Sequence, residues 1–134
     1  GGLALANAKL GAVHGLAGPL GGMSGAPHGA ICGALLPGVL AANGAAAAPG
    51  SVLEARLREV RGWIARALEC DADGALAALA AWSRVQGLPG LAAMGVAHAD
   101  FPAITEAAAA SSSMRANPVD LTARTLQEIL ENAT

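Results

Sequence analysis

Residues 11 to 37 read GAVHGLAGPLGGMSGAPHGAICGALLP, and this stretch decides how the chain is expected to fold. It contains no charged side chain, and from Gly1 to Leu53 the only charged residue is Lys9. Apolar residues typical of helices alternate with glycine and proline, which favours buried helices joined by tight turns. We therefore predict a buried helical hairpin in this part of the chain.

The prolines fix the predicted ends of the two hairpin helices. Gly18-Pro19 ends the first helix, because a proline disfavours the helical conformation in the residue before it. Pro27 suits the first turn of the second helix, where its missing N–H costs nothing. The predicted order is a helix over Leu3–Ala17, a glycine-rich loop over 20–26, a second helix from Pro27 that is interrupted at Pro37 and resumes to about Asn43, and a connector over 44–50.

The lack of charge also raises a membrane alternative. The uncharged run from Leu10 to Leu53 is longer than the ~20 residues that a spanning helix needs. However, the run contains four prolines, two histidines and Asn43, and no window of ~18 residues is continuously apolar. We therefore expect soluble, buried helices and no membrane contact.

The second part of the chain carries the remaining charges and several local helix signals. Ser51 and Glu54 have the spacing of a capping box, and Asp100 and Thr122 are placed to cap two later helices. The predicted helices are an amphipathic one after Ser51 with Leu53, Leu57, Val60, Ile64 and Ala67 on one face, a shorter one over 74–85, one over 102–112, and a last one with Leu126, Ile129, Leu130 and Ala133 on one face. We predict residues 1–134 to form one all-α domain, a helical bundle.

Charge and aromatic content exclude nucleic acid as a partner. The chain has 8 basic and 10 acidic side chains and a net charge of −2, so it has no basic surface for phosphates. Trp63, Trp82 and Phe101 are too few aromatic residues for base stacking. Cys32 and Cys70 are too few for a disulfide framework and too far apart for a CxxC site. We expect a reducing, cytoplasmic setting, with Cys32 as a small buried hydrophobe.

His14 and His28 are the candidate metal ligands, because the predicted hairpin can bring both imidazoles to one point. Neutral imidazole suits Zn, Fe, Cu and Ni alike, so the pair does not choose a metal. A purely structural role for both His in the core is the alternative. A catalytic divalent ion takes three or more protein ligands, and the hairpin has no carboxylate. Further ligands come either from Asp71, Asp73 or Asp100, or from sequence upstream.

Several motifs taken together resemble one protein family. The run from Gly11 to Gly22, the Pro27-His28-Gly29 element, the Leu35-Leu-Pro37 run and Asn43 resemble the iron-dependent alcohol dehydrogenase family, whose motif reads G-x-x-H-x-x-A-H-P-L-G-G, then P-H-G, LLP and Asn. The tail, with Asp100-Phe-Pro, Ser111-Ser-Ser-Met, Asn117-Pro118 and Leu121-Thr122, is similar to the C-terminal end of that family. The similarity covers nearly the whole chain.

The resemblance implies a two-domain enzyme with the dehydroquinate synthase-like fold, of which this chain is the all-α, metal-binding C-terminal domain. In that family the ion is held by an Asp and a His on an earlier helix and by two further His, which match His14 and His28. The N-terminal domain, which binds NAD or NADP, and the first ligand pair are expected upstream of this chain. The chain alone is expected to be inactive, and the full-length enzyme to be a homo-oligomer.

The chemistry that the resemblance implies is that of a metal-dependent dehydrogenase. Fe(II) or Zn(II) polarises the oxygen of a small alcohol, aldehyde or ketone, and the nicotinamide carries the hydride. Gly18 occupies the position where many family members place a further His that is assigned to proton relay. The resemblance therefore assigns no catalytic side chain in this chain, and it leaves the cofactor-binding residues unknown.

Two alternatives lie within the same superfamily. Maleylacetate reductases usually show a His-His pair and a further His where this chain has Val13-His14 and Gly18, and glycerol dehydrogenases use zinc in place of iron. An alternative from another class is a helical interaction or membrane-associated module with structural His. Loss of metal binding on replacing His14 or His28 separates the enzyme interpretations from this last one.

Overall fold

The computed structural model describes Leu3, Asn7 and residues 9–134, and the secondary structure of this part of the chain is helical, without strands. The predicted all-α class is therefore confirmed. Two short 3₁₀ turns, His98–Asp100 and Met114–Ala116, flank the fifth helix. The α-helices of the described residues are α1 Ala12–Ser24, α2 His28–Ala46, α3 Val52–Leu68, α4 Ala75–Val85, α5 Phe101–Ala109 and α6 Ala123–Asn132.

The helix predicted over Leu3–Ala17 is interrupted before α1, although Leu3 and Asn7 are themselves helical. The first part of the helix predicted over Leu3–Ala17 falls mainly outside the described residues. Within them, residues 9–11 are not helical, and Lys9 has a positive φ of 61°. This left-handed conformation does not continue a right-handed helix, so α1 begins only at Ala12.

The end of α1 shows that burial can outweigh a proline. The helix continues through Pro19 to Ser24, and Gly25 ends it with a φ of 68°, the left-handed conformation of a helix C-cap. Leu20 follows the proline and is fully buried. Its burial is worth ~1.5–3 kcal/mol, which offsets much of the ~3 kcal/mol that a proline costs inside a helix. The predicted stop before Pro19 and the predicted loop over 20–26 are therefore wrong.

α2 is also continuous where an interruption was predicted. It passes through Pro37 and reaches Ala46, beyond the predicted start of the connector at residue 44. Leu35 and Val39 are buried on either side of the proline. With 19 residues and a mean hydropathy of 1.5, α2 is the one helix in the described part of the chain that is long and apolar enough to cross a membrane. It packs against α1, α3, α4 and α6, and 28% of its apolar window is buried.

The hydrophobic core lies between α1, α2, α5 and α6. α1 packs on α2 and α5, while α6 packs on α2 and α5 from the other side. α4 packs on α2, and α3 packs on α4, so this second hairpin lies outside the core. The predicted face of α6 is confirmed, because Leu126, Ile129 and Leu130 are buried and so is Ala133, directly after the helix. The largest fully buried side chains are Leu16, Leu20, Ile31, Leu35, Leu91, Phe101, Ile104, Leu126 and Leu130.

Two of the predicted caps are confirmed by hydrogen bonds. Ser51 Oγ accepts from the Glu54 N–H at 3.1 Å, and the Glu54 carboxylate accepts from the Gly50 N–H at 2.7 Å. Thr122 Oγ1 accepts from the Thr125 N–H at 3.1 Å. The bonds to Ser51 and Thr122 each satisfy a backbone N–H that a helix N-terminus would leave unpaired, so both helices begin where the sequence predicts.

The predicted cap of α5 is wrong. Asp100 makes no side-chain cap bond, because its own φ and ψ of −85° and −13° are already helical, whereas a capping residue needs an extended backbone. The 3₁₀ turn that ends at Asp100 leads directly into α5 at Phe101. α5 ends at Ala109, before the predicted end at residue 112.

Candidate metal centre

The α1–α2 hairpin places His14 and His28 side by side. His14 lies in the first turn of α1, not near its end as predicted, and His28 is the first residue of α2. The two ring centroids are 5.2 Å apart, and the ring planes are inclined by 48°. His14 is half-buried, whereas His28 is exposed. The pair therefore forms an open cluster that an ion can reach from solvent.

Asn117 holds the start of α1 in place from the other end of the sequence. Its Oδ1 accepts from the backbone N–H of Ala12 at 3.1 Å. Its Nδ2 donates to Asn43 Oδ1 and to the backbone oxygen of Val119, both at 2.8 Å. Asn117 thus caps α1 and ties it to α2, which fixes the helix turn that carries the first histidine.

Gly15 allows α1 to approach the Met114–Ala116 turn closely. A Cβ at this position would lie 3.0 Å from Met114 Cε and 3.2 Å from the Met114 backbone nitrogen. Contacts to backbone as short as these are not relieved by a side-chain rotation. A glycine directly after His14 therefore lets α1 pack closely against this turn.

Cys32 is the third potential ligand in the cluster. Its Sγ lies 3.4 Å from His28 Nε2, and the ligand atoms of His14, His28 and Cys32 all lie within 4.8 Å of one another. Burial raises the pKa of the Cys32 thiol. The sequence signal for this contact is the spacing of four residues between His28 and Cys32, which puts both on one face of a helix. The expectation that Cys32 is a buried hydrophobe is therefore wrong, because the thiol is half-buried and contacts an imidazole.

Carboxylates of the described residues do not join this cluster. Asp71 and Asp73 lie in the turn between α3 and α4, and Asp100 lies in the 3₁₀ turn before α5. The first of the two predicted sources of further ligands is thus not used in this fold. Two imidazoles and a thiol are the donor set that this part of the chain offers to an ion.

Gly18 lies one helical turn after His14 in α1 and is exposed. A Cβ built on it meets nothing within 4 Å among the described residues. The position would therefore accept a larger side chain, but a glycine itself has no group that can move a proton.

Comparison with known proteins places this arrangement in a family. The model of the Fe-containing alcohol dehydrogenase family, C-terminal region, matches residues 1–134. The chain belongs to this family. The resemblance drawn from the His14 and His28 motifs is thereby confirmed, and the helical fold is that of the family's C-terminal domain.

Two solved structures of oxidoreductases are similar to this chain. A crystal structure of a 1,3-propanediol oxidoreductase is 31% identical, with a TM-score of 0.77, and the alignment covers 99% of this chain and 35% of that one. An alcohol dehydrogenase from Oenococcus oeni is 29% identical, with a TM-score of 0.77 and the same coverage. No curated protein matches the sequence. The chain spans about a third of the length of these two structures, 35% of each.

Proposed function

We propose that the chain is the metal-binding part of an NAD(P)-linked alcohol dehydrogenase, and that His14 and His28 are two ligands of its divalent ion. The observation that carries the proposal is the 5.2 Å separation of the two rings, at the two histidines that match the family motif. The donor chemistry fits such an ion, because imidazole binds both Fe(II) and Zn(II). Membership of the family supports an oxidoreductase over a helical interaction module.

Two histidines are fewer ligands than a catalytic ion needs, and carboxylates of the described residues do not join them. The proposal therefore includes ligands and a nucleotide-binding domain from sequence outside these 134 residues. In a complete enzyme of this kind, the substrate would be a small alcohol, aldehyde or ketone. A homo-oligomer in the cytoplasm is proposed on the same resemblance.

Bound at this site, a divalent ion would supply Lewis-acid chemistry to the substrate oxygen while the nicotinamide carries the hydride. The described residues have three tasks. His14 and His28 would hold the ion, the fully buried Leu16 and Leu20 anchor α1 in the core, and Asn117 fixes the first turn of α1. Gly18 offers no proton acceptor, so the alcohol proton leaves through water or through groups of the rest of the enzyme.

Metal titration of the chain tests this proposal. Binding of Zn(II) and Fe(II) is measured by competition with a chromogenic chelator, for the wild type and for His14→Ala, His28→Ala and His98→Ala. Removing either ligand should weaken binding by roughly tenfold or more, since even the loss of a residue that only hydrogen-bonds to a ligand lowers metal affinity by about 10–100-fold. His98 is the matched control, because its side chain is 77% exposed and lies outside the cluster.

Two results would contradict the proposal. The first is binding that stays unchanged in both His14→Ala and His28→Ala, which would return the two histidines to a structural role. The second is NAD-dependent turnover by the 134-residue chain alone. Such turnover would mean that the cofactor site and the missing ligands are not needed from elsewhere.

A further inference from the structure

We propose that the cavity between α2, α4 and α6 is a second ligand site, which binds an aliphatic monocarboxylate. The apolar walls of the cavity take the hydrocarbon chain, and the exposed Arg84 takes the carboxylate. His14 and His28 do not line this cavity, so the inference does not depend on the proposed function. Its support is the place of the cavity in the fold, the small size of its lining side chains, and the setting of Arg84.

The cavity lies on a face of α2 that does not point into the core. It is lined there by Ala34, Pro37 and Ala41, whereas the buried Ile31 and Leu35 belong to the core on another face of the helix. The cavity has a volume of about 240 Å³. An apolar cavity of about 150 Å³ is large enough to bind benzene, so this one has room for a short hydrocarbon chain.

Small side chains leave this volume open. The cavity is lined by Ala34, Gly38 and Ala41 from α2 and by Ala77 and Ala80 from α4. Larger apolar side chains normally fill the space between two packed helices, because protein interiors are close-packed and an empty apolar cavity lowers stability. A hydrocarbon chain in the cavity would supply the contacts that these small residues do not make.

Arg84 is the one charged residue among the described residues that line the cavity. It lies in the last turn of α4, and it forms no ion pair with a carboxylate in the described part of the chain. The backbone itself caps this helix end, because the Leu88 N–H donates to the Ser83 oxygen at 3.0 Å and the Gly87 N–H donates to the Arg84 oxygen at 2.9 Å. The guanidinium is therefore available to an anion.

A single cation on an apolar cavity selects a ligand with one anionic end and an apolar body, because the few polar groups of a pocket fix the orientation of what it binds. A guanidinium matches the two oxygens of a carboxylate with two parallel hydrogen bonds. Ser83 and Asn132 also line the cavity, and their side chains can donate further hydrogen bonds. An aliphatic monocarboxylate combines these features, whereas an alcohol of the same length lacks the charge.

Titration of the isotope-labelled chain followed by NMR measures both the affinity and the place of binding. The ligands are hexanoate and hexanol, which share a chain length and differ in the charge of the head group, and EDTA removes metal ions from the sample. Hexanoate should shift the amide signals of residues at the cavity until they saturate, and it should bind roughly fivefold more tightly than hexanol, as expected for an ion pair with an exposed charge. Added salt should weaken the binding of hexanoate but not that of hexanol.

Two pairs of variants separate the roles of charge and space. Arg84→Ala should lower the affinity for hexanoate to that for hexanol, whereas Arg66→Ala should leave it unchanged, because Arg66 is likewise exposed in the last turn of a helix but does not line the cavity. Ala80→Leu should weaken the binding of both ligands, because the larger side chain occupies the cavity. Its control is Ala81→Leu, at the next position of α4, which is exposed and lies outside the cavity.

Three results would overturn the inference: equal affinities of the wild type for hexanoate and hexanol, an unchanged affinity for hexanoate in Arg84→Ala, and signal shifts that do not saturate or that lie away from the cavity. The comparison of the two ligands on the wild type needs no variant, so it does not depend on how a variant folds. Because the samples contain no metal ion, each of these results leaves the proposed role of His14 and His28 untouched.

Discussion

The α1–α2 hairpin and the α3 helix are built on opposite principles. The hairpin has no charged residue, contains a proline inside each helix, and buries Leu16, Leu20 and Leu35 completely. α3 has a capped start, no proline, and ion pairs along an exposed surface, and within it Ala65 is the buried residue. The hairpin is helical because the core holds it, whereas α3 is helical largely through local interactions.

The same difference explains why the potential ion ligands lie on the hairpin and not on α3. The side chains that can hold an ion lie on the hairpin, where packing sets the backbone before any ligand arrives. A ligand site needs side chains held in fixed positions, and the contacts that the core provides meet that need. The charged side chains of α3 are not held in fixed positions in this way, because they are long and exposed and pair with one another.

The largest expected effect comes from emptying the hairpin core. Leu20→Ala should lower the free energy of unfolding by about 2–5 kcal/mol, because it removes a fully buried side chain and leaves a cavity. Urea unfolding followed by far-ultraviolet circular dichroism measures the change. Val52→Ala, at a position of α3 that is 79% exposed, is the control and should stay within about 0.5 kcal/mol. If Leu20→Ala lowered the free energy of unfolding no more than Val52→Ala does, the hairpin would depend on its core no more than α3 does.

The next effect in size should come from the polar contact that orients α1. Asn117→Ala removes the cap on Ala12 and leaves the buried Asn43 without its partner. We expect a loss of about 1–3 kcal/mol, the cost of unpaired buried polar groups. Metal affinity should fall as well, because the first turn of α1 carries His14.

The control for that variant is Asn132→Ala, at an exposed position of α6. Asn132→Ala should shift the unfolding midpoint much less than Asn117→Ala does, and it should leave the affinity for Zn(II) unchanged. If Asn117→Ala lowers stability but leaves metal affinity intact, Asn117 supports the fold without positioning the site. Equal effects of the two Asn variants on stability would show that the contact contributes nothing beyond a surface residue.

The same contrast explains how much could be predicted from the sequence. The helical class follows from the residue composition, and the cap at Ser51 and the buried face of α6 follow from spacings of three or four residues; these and the cap at Thr122 are confirmed. A helix end before Pro19 and an interruption at Pro37 are the wrong predictions, because both helices continue through their prolines. Helix propensities of neighbouring residues do not reveal that Leu20 is buried, and this burial is what keeps α1 helical beyond Pro19.

For the candidate site, the sequence supplied the two histidines but not what holds them. The cap from Asn117 to Ala12 joins residues 105 positions apart, and the contact of Gly15 with Met114 is also long-range. Neither can be derived without the packed fold. Cys32 is different, because its spacing of four from His28 is a local signal that was present in the sequence and was not used.

The smallest expected effect is the loss of an ion pair on α3. Arg58 donates to Glu54 at 3.1 Å, but the two side chains are 73% and 36% exposed. A pair of this kind, four residues apart on a helix, contributes about 0.3–0.5 kcal/mol. Arg58→Ala should therefore lower the free energy of unfolding by less than about 0.5 kcal/mol, measured by the same urea titration, and high salt should remove the difference.

The cap of α3 should survive this substitution, because Glu54 still accepts from the Gly50 N–H and Ser51 from the Glu54 N–H. Arg56→Ala, whose partner is Glu59 at 2.9 Å, is the matched variant and should behave alike. A loss above 1 kcal/mol at either arginine, persisting in high salt, would mean that the exposed charges hold α3 against the rest of the molecule. In that case α3 would depend on tertiary contacts as the hairpin does, and the two regions would not differ in principle.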